Sequence, residues 1–205
     1  MTWDLDLWRG QFGPRVAPGK YTARIVIDGQ EFRKIFEVLK DPSTGGSIES
    51  IEKQVALSLE MRDAINTAVL AINKVEVLRS ELNELKGSLR KKSDIKELER
   101  LERVATDVAA KLYDIHLTGA REDAFRSPMK LYGRLSAVAS DLSASGIDFA
   151  PTDQQGEVYT ILEKRLILAK EELESLVEND VKVFNQKLNS LNMKIDLEQK
   201  LEEGE

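Results

Sequence analysis

Residues 65–89, INTAVLAINKVEVLRSELNELKGSL, decide the fold. Within them Ile65, Ala68, Ile72, Val75, Leu78, Leu82, Leu85 and Leu89 recur in steps of three or four. That is the period of a helix with one buried stripe. Ile48, Ile51, Val55 and Leu59 carry apolar positions upstream. Ser47 is placed to accept a hydrogen bond from the unpaired N–H groups of a first turn. The spacing predicts one helix over about 48–87, near 60 Å long at about 1.5 Å per residue.

More stripes follow downstream. Gly87 and Lys91-Lys92-Ser93 mark a reversal, with Ser93 as the next cap. A second helix carries Ile95, Leu98, Leu101, Val104, Val108, Leu112 and Ile115, and ends near Thr118-Gly119. Residues 120–126 form a connection, and Ser127-Pro128 starts a third helix, since proline lacks only an N–H that the first turn does not use. Its stripe is Leu131, Leu135, Val138 and Leu142. After a loop over 146–151, Thr152-Asp153-Gln154-Gln155 fits a capping box. The last helix carries Val158, Leu162, Leu166, Ala169, Leu173 and Leu176. Asn179-Asp180 interrupts or re-caps it, and Phe184, Leu188, Leu191 and Ile195 extend the stripe. Short connections make sequential helices antiparallel. The stripe over 65–89 is also close to heptad spacing, so a coiled-coil dimer is a rival use of it.

The first 40 residues differ. Tyr21, Ala23, Ile25 and Ile27 alternate with Thr22, Arg24 and Val26; Phe32, Lys34, Phe36 and Val38 alternate with Arg33, Ile35 and Glu37. Asp28-Gly29 between them is a strong two-residue hairpin turn. Trp3 to Leu7 alternates too and is a candidate third strand. A lone hairpin is marginal in water, so this β part needs helices, another chain or further strands to cover it. The expected organisation is a β-hairpin or partial sandwich at 1–40, a linker at 41–47, a helical bundle at 48–197 and an acidic tail at 198–205. The fold class is mainly α: an elongated three- to four-helix antiparallel bundle preceded by a small antiparallel β segment.

Chemistry is sparse. The 205 residues include 36 acidic and 30 basic side chains, a net charge of -6. Nucleic-acid binding needs a clustered basic surface; the one basic run, Arg90-Lys91-Lys92 with Lys96, reads as a solvated turn. The absence of cysteine removes disulfides, thiolate catalysis and cysteine-ligated metal. No apolar run approaches the roughly 20 residues of a membrane-spanning helix. His116 is the only histidine and reads as structural or solvated. No phosphate-cradling or nucleophile-elbow pattern is present. Carboxylates near Lys86, Arg100, Arg103 and Lys170 read as solvated pairs of Glu81, Glu97, Glu99 and Glu171. No catalytic, cofactor-binding or metal-ligating residue is assigned, and the chain reads as a non-enzyme.

One set of motifs carries a resemblance. Gly13-Pro14, Pro18-Gly19, Tyr21 and Arg24 enter the hairpin; Trp3-Asp4-Leu5 precedes it and Asp41-Pro42 follows. Asp123, Pro128, Lys130-Leu131 and Arg134-Leu135 come next, then Pro151-Thr152, Gln154 and Val158, and last Val183-Phe184-Asn185. In this order they resemble the C-terminal region of large secreted bacterial proteins with sortilin-like, BNR-repeat β-propellers, often labelled glycosyl hydrolases. The resemblance implies a secreted or periplasmic parent whose upstream propellers hold any sugar or peptide site. It carries no active-site residue onto this chain. The expected function is a non-catalytic accessory or structural region, partnered by the upstream propellers or another protein. The alternatives are a self-contained helical adaptor that dimerises and a part of a carbohydrate-active hydrolase.

Overall fold

The computed structural model describes residues 13–116, 127–144 and 148–197. The candidate third strand at Trp3–Leu7, the connection at 120–126, most of the Asp123 motif's leading half and the acidic tail lie outside them. Strands β1 (Gly19–Ile27) and β2 (Gln30–Val38) form one antiparallel hairpin. Asp28 (φ 50°) and Gly29 (φ 78°) close it, both left-handed, as the expected turn requires. Then come α1 (Ile48–Leu85), α2 (Lys92–Leu112), α3 (Leu131–Ala144), α4 (Asp153–Ser175), a π-helical segment (Leu176–Val181) and α5 (Lys182–Asn189). The architecture is mainly α with a small antiparallel β element.

The helices stack as three columns. α1 is the first and runs the whole length. α2 and α3 share the second, both antiparallel to α1: Lys86 Nζ at the end of α1 reaches Glu102 of α2 at 2.6 Å, and Gln54 near its start reaches the Leu142 carbonyl of α3 at 2.9 Å. α4, the π segment and α5 form the third, running back alongside α1. Ser47 caps α1, accepting from Ser50 N–H at 3.1 Å. Thr152 and Gln155 form the capping box of α4, with Thr152 Oγ1 accepting from Gln155 N–H at 3.2 Å and Gln155 Oε1 from Thr152 N–H at 2.9 Å. One core runs between the columns, through Ile72, Val75, Leu78, Leu82, Leu98, Leu101, Leu112, Leu135, Leu173 and Phe184 among others.

Several local expectations are corrected. The first turns of α1 bury Ile51, Gln54, Ser58 and Met61, while Ile48 and Leu59 are exposed and Val55 is half-buried. Two polar residues hold core positions there because each is satisfied: Gln54 by the Leu142 carbonyl, and Ser58 by donating to the Gln54 carbonyl at 2.8 Å. Ser93 lies inside α2, bonded to Asp94, and does not cap it. α2 stops at Leu112, before Thr118. α3 starts at Leu131, three residues after Pro128; Ser127 instead donates to Asp114 and fastens the approach to α3. Glu81 is buried rather than solvated, and accepts from Asp196 N–H at 3.4 Å.

The third column contains a phase correction. Leu162, Leu166, Ala169, Leu173 and Leu176 are buried at steps of four and three; the next buried residue, Val181, is five on. A regular helix would turn the stripe away from the core there. The π segment widens the turn, absorbs the extra residue, and returns Val181, Phe184 and Leu188 to the core. The helix therefore continues through Asn179-Asp180. It ends at Asn189, with Asn192 left-handed (φ 54°) and Met193 N–H bonded to Leu188 O at 3.1 Å, Asn192 N–H to Asn189 O at 3.2 Å. Leu191 is exposed, and Ile195 reaches the core from the returning chain, not from a helix.

Candidate functional site

The hairpin is the part of the chain that the bundle does not explain. Its register places Tyr21 opposite Phe36, Ala23 opposite Lys34, Ile25 opposite Phe32, and Gly19 opposite Val38. These residues share one face with Ile27 and Gln30, and the face is apolar apart from Lys34 and Gln30. Lys20, Arg24, Glu31, Arg33 and Glu37 occupy the other, with Thr22, Val26 and Ile35. Arg24 Nε donates to Glu31 Oε2 at 2.5 Å, and Arg33 Nε donates to Glu31 Oε1. Arg33 first, then Arg24, holds the Glu31 carboxyl below its ordinary range. Tyr21 and Phe36 sit ring to ring, with centroids 6.0 Å apart, and the Tyr21 hydroxyl donates to Ala17 O at 2.6 Å.

A sheet with one apolar face normally buries it. Here Ile25 is 58% and Phe32 53% exposed, and no described helix packs broadly on either face. Both outer edges of the two-stranded sheet are unpaired among the described residues. Ile25, Ile27, Phe32 and Phe36 are exposed on this face, and Val26 and Ile35 on the other.

The hairpin is nonetheless anchored at its base. Asp41 Oδ1 accepts from Ser43 N–H at 2.8 Å and from Ser43 Oγ at 2.6 Å. Lys40 Nζ donates to Thr44 O at 2.6 Å, and Thr44 Oγ1 donates to Asp148 at the entry to α4. Gly46 is buried there: a Cβ at that position would fall 1.5 Å from the Asp148 carbonyl oxygen. The segment read from composition as a linker is thus a fastened joint between the hairpin and one end of the bundle.

Two polar clusters lie between columns. Arg100 of α2 donates from one guanidinium nitrogen to Glu97 Oε1 at 2.9 Å and to Asp180 Oδ1 of the π segment at 2.5 Å. These carboxylates, Glu97 first, push the guanidinium pKa up, and Arg100 holds Glu97 below the usual carboxylate range. The Tyr113 hydroxyl donates to Glu76, whose other neighbour is Arg79 at 2.6 Å; burial first, then Glu76, pushes the phenol up. Both clusters tie elements together, Arg100 joining α2 to the π segment and Tyr113 joining the end of α2 to α1. His116 is exposed, its N–H bonded to Asp114 Oδ1 at 3.0 Å. Among the described residues no three His, Asp or Glu side chains converge as metal ligands, and no helix is long and apolar enough to cross a membrane.

Four motif residues of the resemblance do structural work, while Val158 and Val183 are exposed. Phe184 is in the core. Asn185 brackets the Ile195 peptide, donating to its carbonyl at 2.9 Å and accepting from its N–H at 2.8 Å. Thr152 caps a helix, and Asp41 shapes the joint. The apolar hairpin face was legible in the alternation of its residues; the Asn185 clamp was not, because its partner lies in a turn that no periodicity marks. Comparison of the chain with protein-family models, with curated proteins and with solved structures gives no match in any of the three.

Proposed function

We propose that the chain is a non-catalytic accessory region of a larger secreted or periplasmic protein, in which the hairpin docks onto β-rich structure encoded upstream. The observation that carries this reading is the apolar hairpin face, exposed beside a bundle whose own core is filled. The fastened joint at Thr44, Gly46 and Asp148 supports it, because it holds the hairpin at a set position relative to the bundle. The ordered motif resemblance to sortilin-like, BNR-repeat proteins names the upstream partner as their propeller part. The hydrolase label of such proteins belongs, on this reading, to the propellers.

The test is hydrogen exchange on this chain alone and within its full reading frame. The reading expects the amides of β1 and β2 to gain protection in the longer protein. Ile25→Asp with Phe32→Asp should abolish that gain while the helices exchange as before. Unchanged strand protection, or a glycan-hydrolysing activity of the purified 205-residue chain, would overturn it.

A further inference from the structure

The charged face of the hairpin holds two exposed large apolar residues, Val26 beside the turn and Ile35 in the middle of β2. Ile35 is 70% exposed, between Arg33 and Glu37 on β2. In a hairpin closed by a two-residue turn the Ile27–Gln30 pair exchanges hydrogen bonds, so Gln30, Phe32, Lys34 and Phe36 aim their backbone groups at β1. Glu31, Arg33, Ile35 and Glu37 therefore aim theirs outward, along an edge that no other described strand pairs.

We infer that this edge pairs antiparallel with the β2 edge of a second copy of the chain, with Ile35 on the two-fold axis. In that register Arg33 stands opposite the second copy's Glu37, and Glu37 opposite its Arg33, so two opposite-charge pairs flank two adjoining isoleucines. Outward-pointing residues face outward-pointing residues, as antiparallel hydrogen bonding demands. Phe32 stands opposite Val38 on the apolar face. The neighbouring registers are worse. Centring on Lys34 sets Glu31 against Glu37 and lysine against lysine, and centring on Arg33 sets arginine against arginine. Centring on Phe36 leaves the charges without opposite partners. Centring on Phe32 does pair Glu31 with Arg33, but over a much shorter overlap. The β1 edge carries only the basic charges Lys20 and Arg24, so a symmetric pairing there has no acid to offset them. Like charges directly opposite destabilise a pair and opposite charges stabilise it.

This inference concerns the β2 edge and stands apart from the upstream docking proposed for the apolar face. Sedimentation equilibrium of the purified chain should show a monomer–dimer equilibrium. Arg33→Glu or Glu37→Arg alone should weaken it by about tenfold or more, since each sets like charges opposite twice. The double swap, Arg33→Glu with Glu37→Arg, should restore it. The chain has no cysteine, so Ile35→Cys gives one thiol per copy. Paired Cα atoms on the axis would lie about 5.5 Å apart, within disulfide reach. Ile35→Cys should cross-link on mild oxidation, and Thr22→Cys, on the same face but on β1, away from the paired edge, should not. A chain monomeric at all concentrations overturns the inference. So does a dimer indifferent to both single charge changes, or equal cross-linking at the two positions.

Discussion

Asp180 accepts a hydrogen bond from Arg100 at 2.5 Å because the π segment places it at the margin of the core. One helical turn after Leu176, a regular helix would aim this carboxylate inward. The extra residue both rescues the apolar stripe and turns Asp180 toward α2.

That origin predicts an unusual tolerance. Deleting Asn179 should convert the π segment to ordinary helix and keep the downstream stripe in phase. Only the Arg100 contact and the Asn179–Ser175 bond are lost. The expected cost is about 1 kcal/mol, a fall of about 2–4 °C in Tm. Deleting Glu171, in the regular part of α4, should rotate the stripe by about 100° and abolish cooperative unfolding. Equal damage from both deletions, read by thermal circular dichroism, would show the phase argument to be wrong.

Gly46 should tolerate no side chain. Its Cβ would strike the backbone of Asp148, which cannot swing aside like a flexible side chain. Gly46→Ala should cost about 1–3 kcal/mol and loosen the joint. The check is urea unfolding together with hydrogen exchange at 44–50 and 148–152, where faster exchange is expected.

Hairpin and bundle should be energetically separable. Ile25→Ser with Phe32→Ser should change bundle stability by less than about 0.5 kcal/mol, because those side chains are exposed and pack on no described helix. Leu78→Ala, fully buried in the centre of α1, should cost about 2–5 kcal/mol. Chemical denaturation followed by helix signal distinguishes the two. A large loss from the hairpin pair would mean that its apolar face supports the bundle after all.

Stability should fall at both ends of the pH scale. Arg100 depresses Glu97, and Ser127 followed by the His116 N–H depresses Asp114. A depressed carboxyl stabilises above its ordinary value, 4.5 for glutamate and 3.8 for aspartate, and that contribution is lost as pH falls through the lower folded value. Tyr159 is pushed from 10.0 to about 12, first by burial and then by Glu163. A raised phenol stabilises below its ordinary value, and the contribution is lost as pH rises from 10.0 towards about 12. Ultraviolet titration should show a late tyrosinate phase that Tyr159→Phe reduces. A titration identical in that variant would refute the assignment.

Local pattern by itself determined the hairpin with its Asp28-Gly29 turn, the long helices with their stripes, and the Ser47 and Thr152 caps. Each depends on neighbours within one or two turns of the chain, so periodicity and turn chemistry reach them. Tertiary structure alone decided the rest. Gln54 and Ser58 sit in the core because the second column and their own helix satisfy them. Gly46 is required because Asp148, a hundred residues on, occupies the space of a Cβ. Asn185 holds Ile195 because the chain reverses between them. The stripe's pattern around Asn179-Asp180 left an interruption or a re-cap open, and only the core's demand for a continuous stripe makes it a π segment through Val181. The hairpin's alternation was equally plain. That none of the described helices covers its apolar face followed only from where the bundle's own core closed.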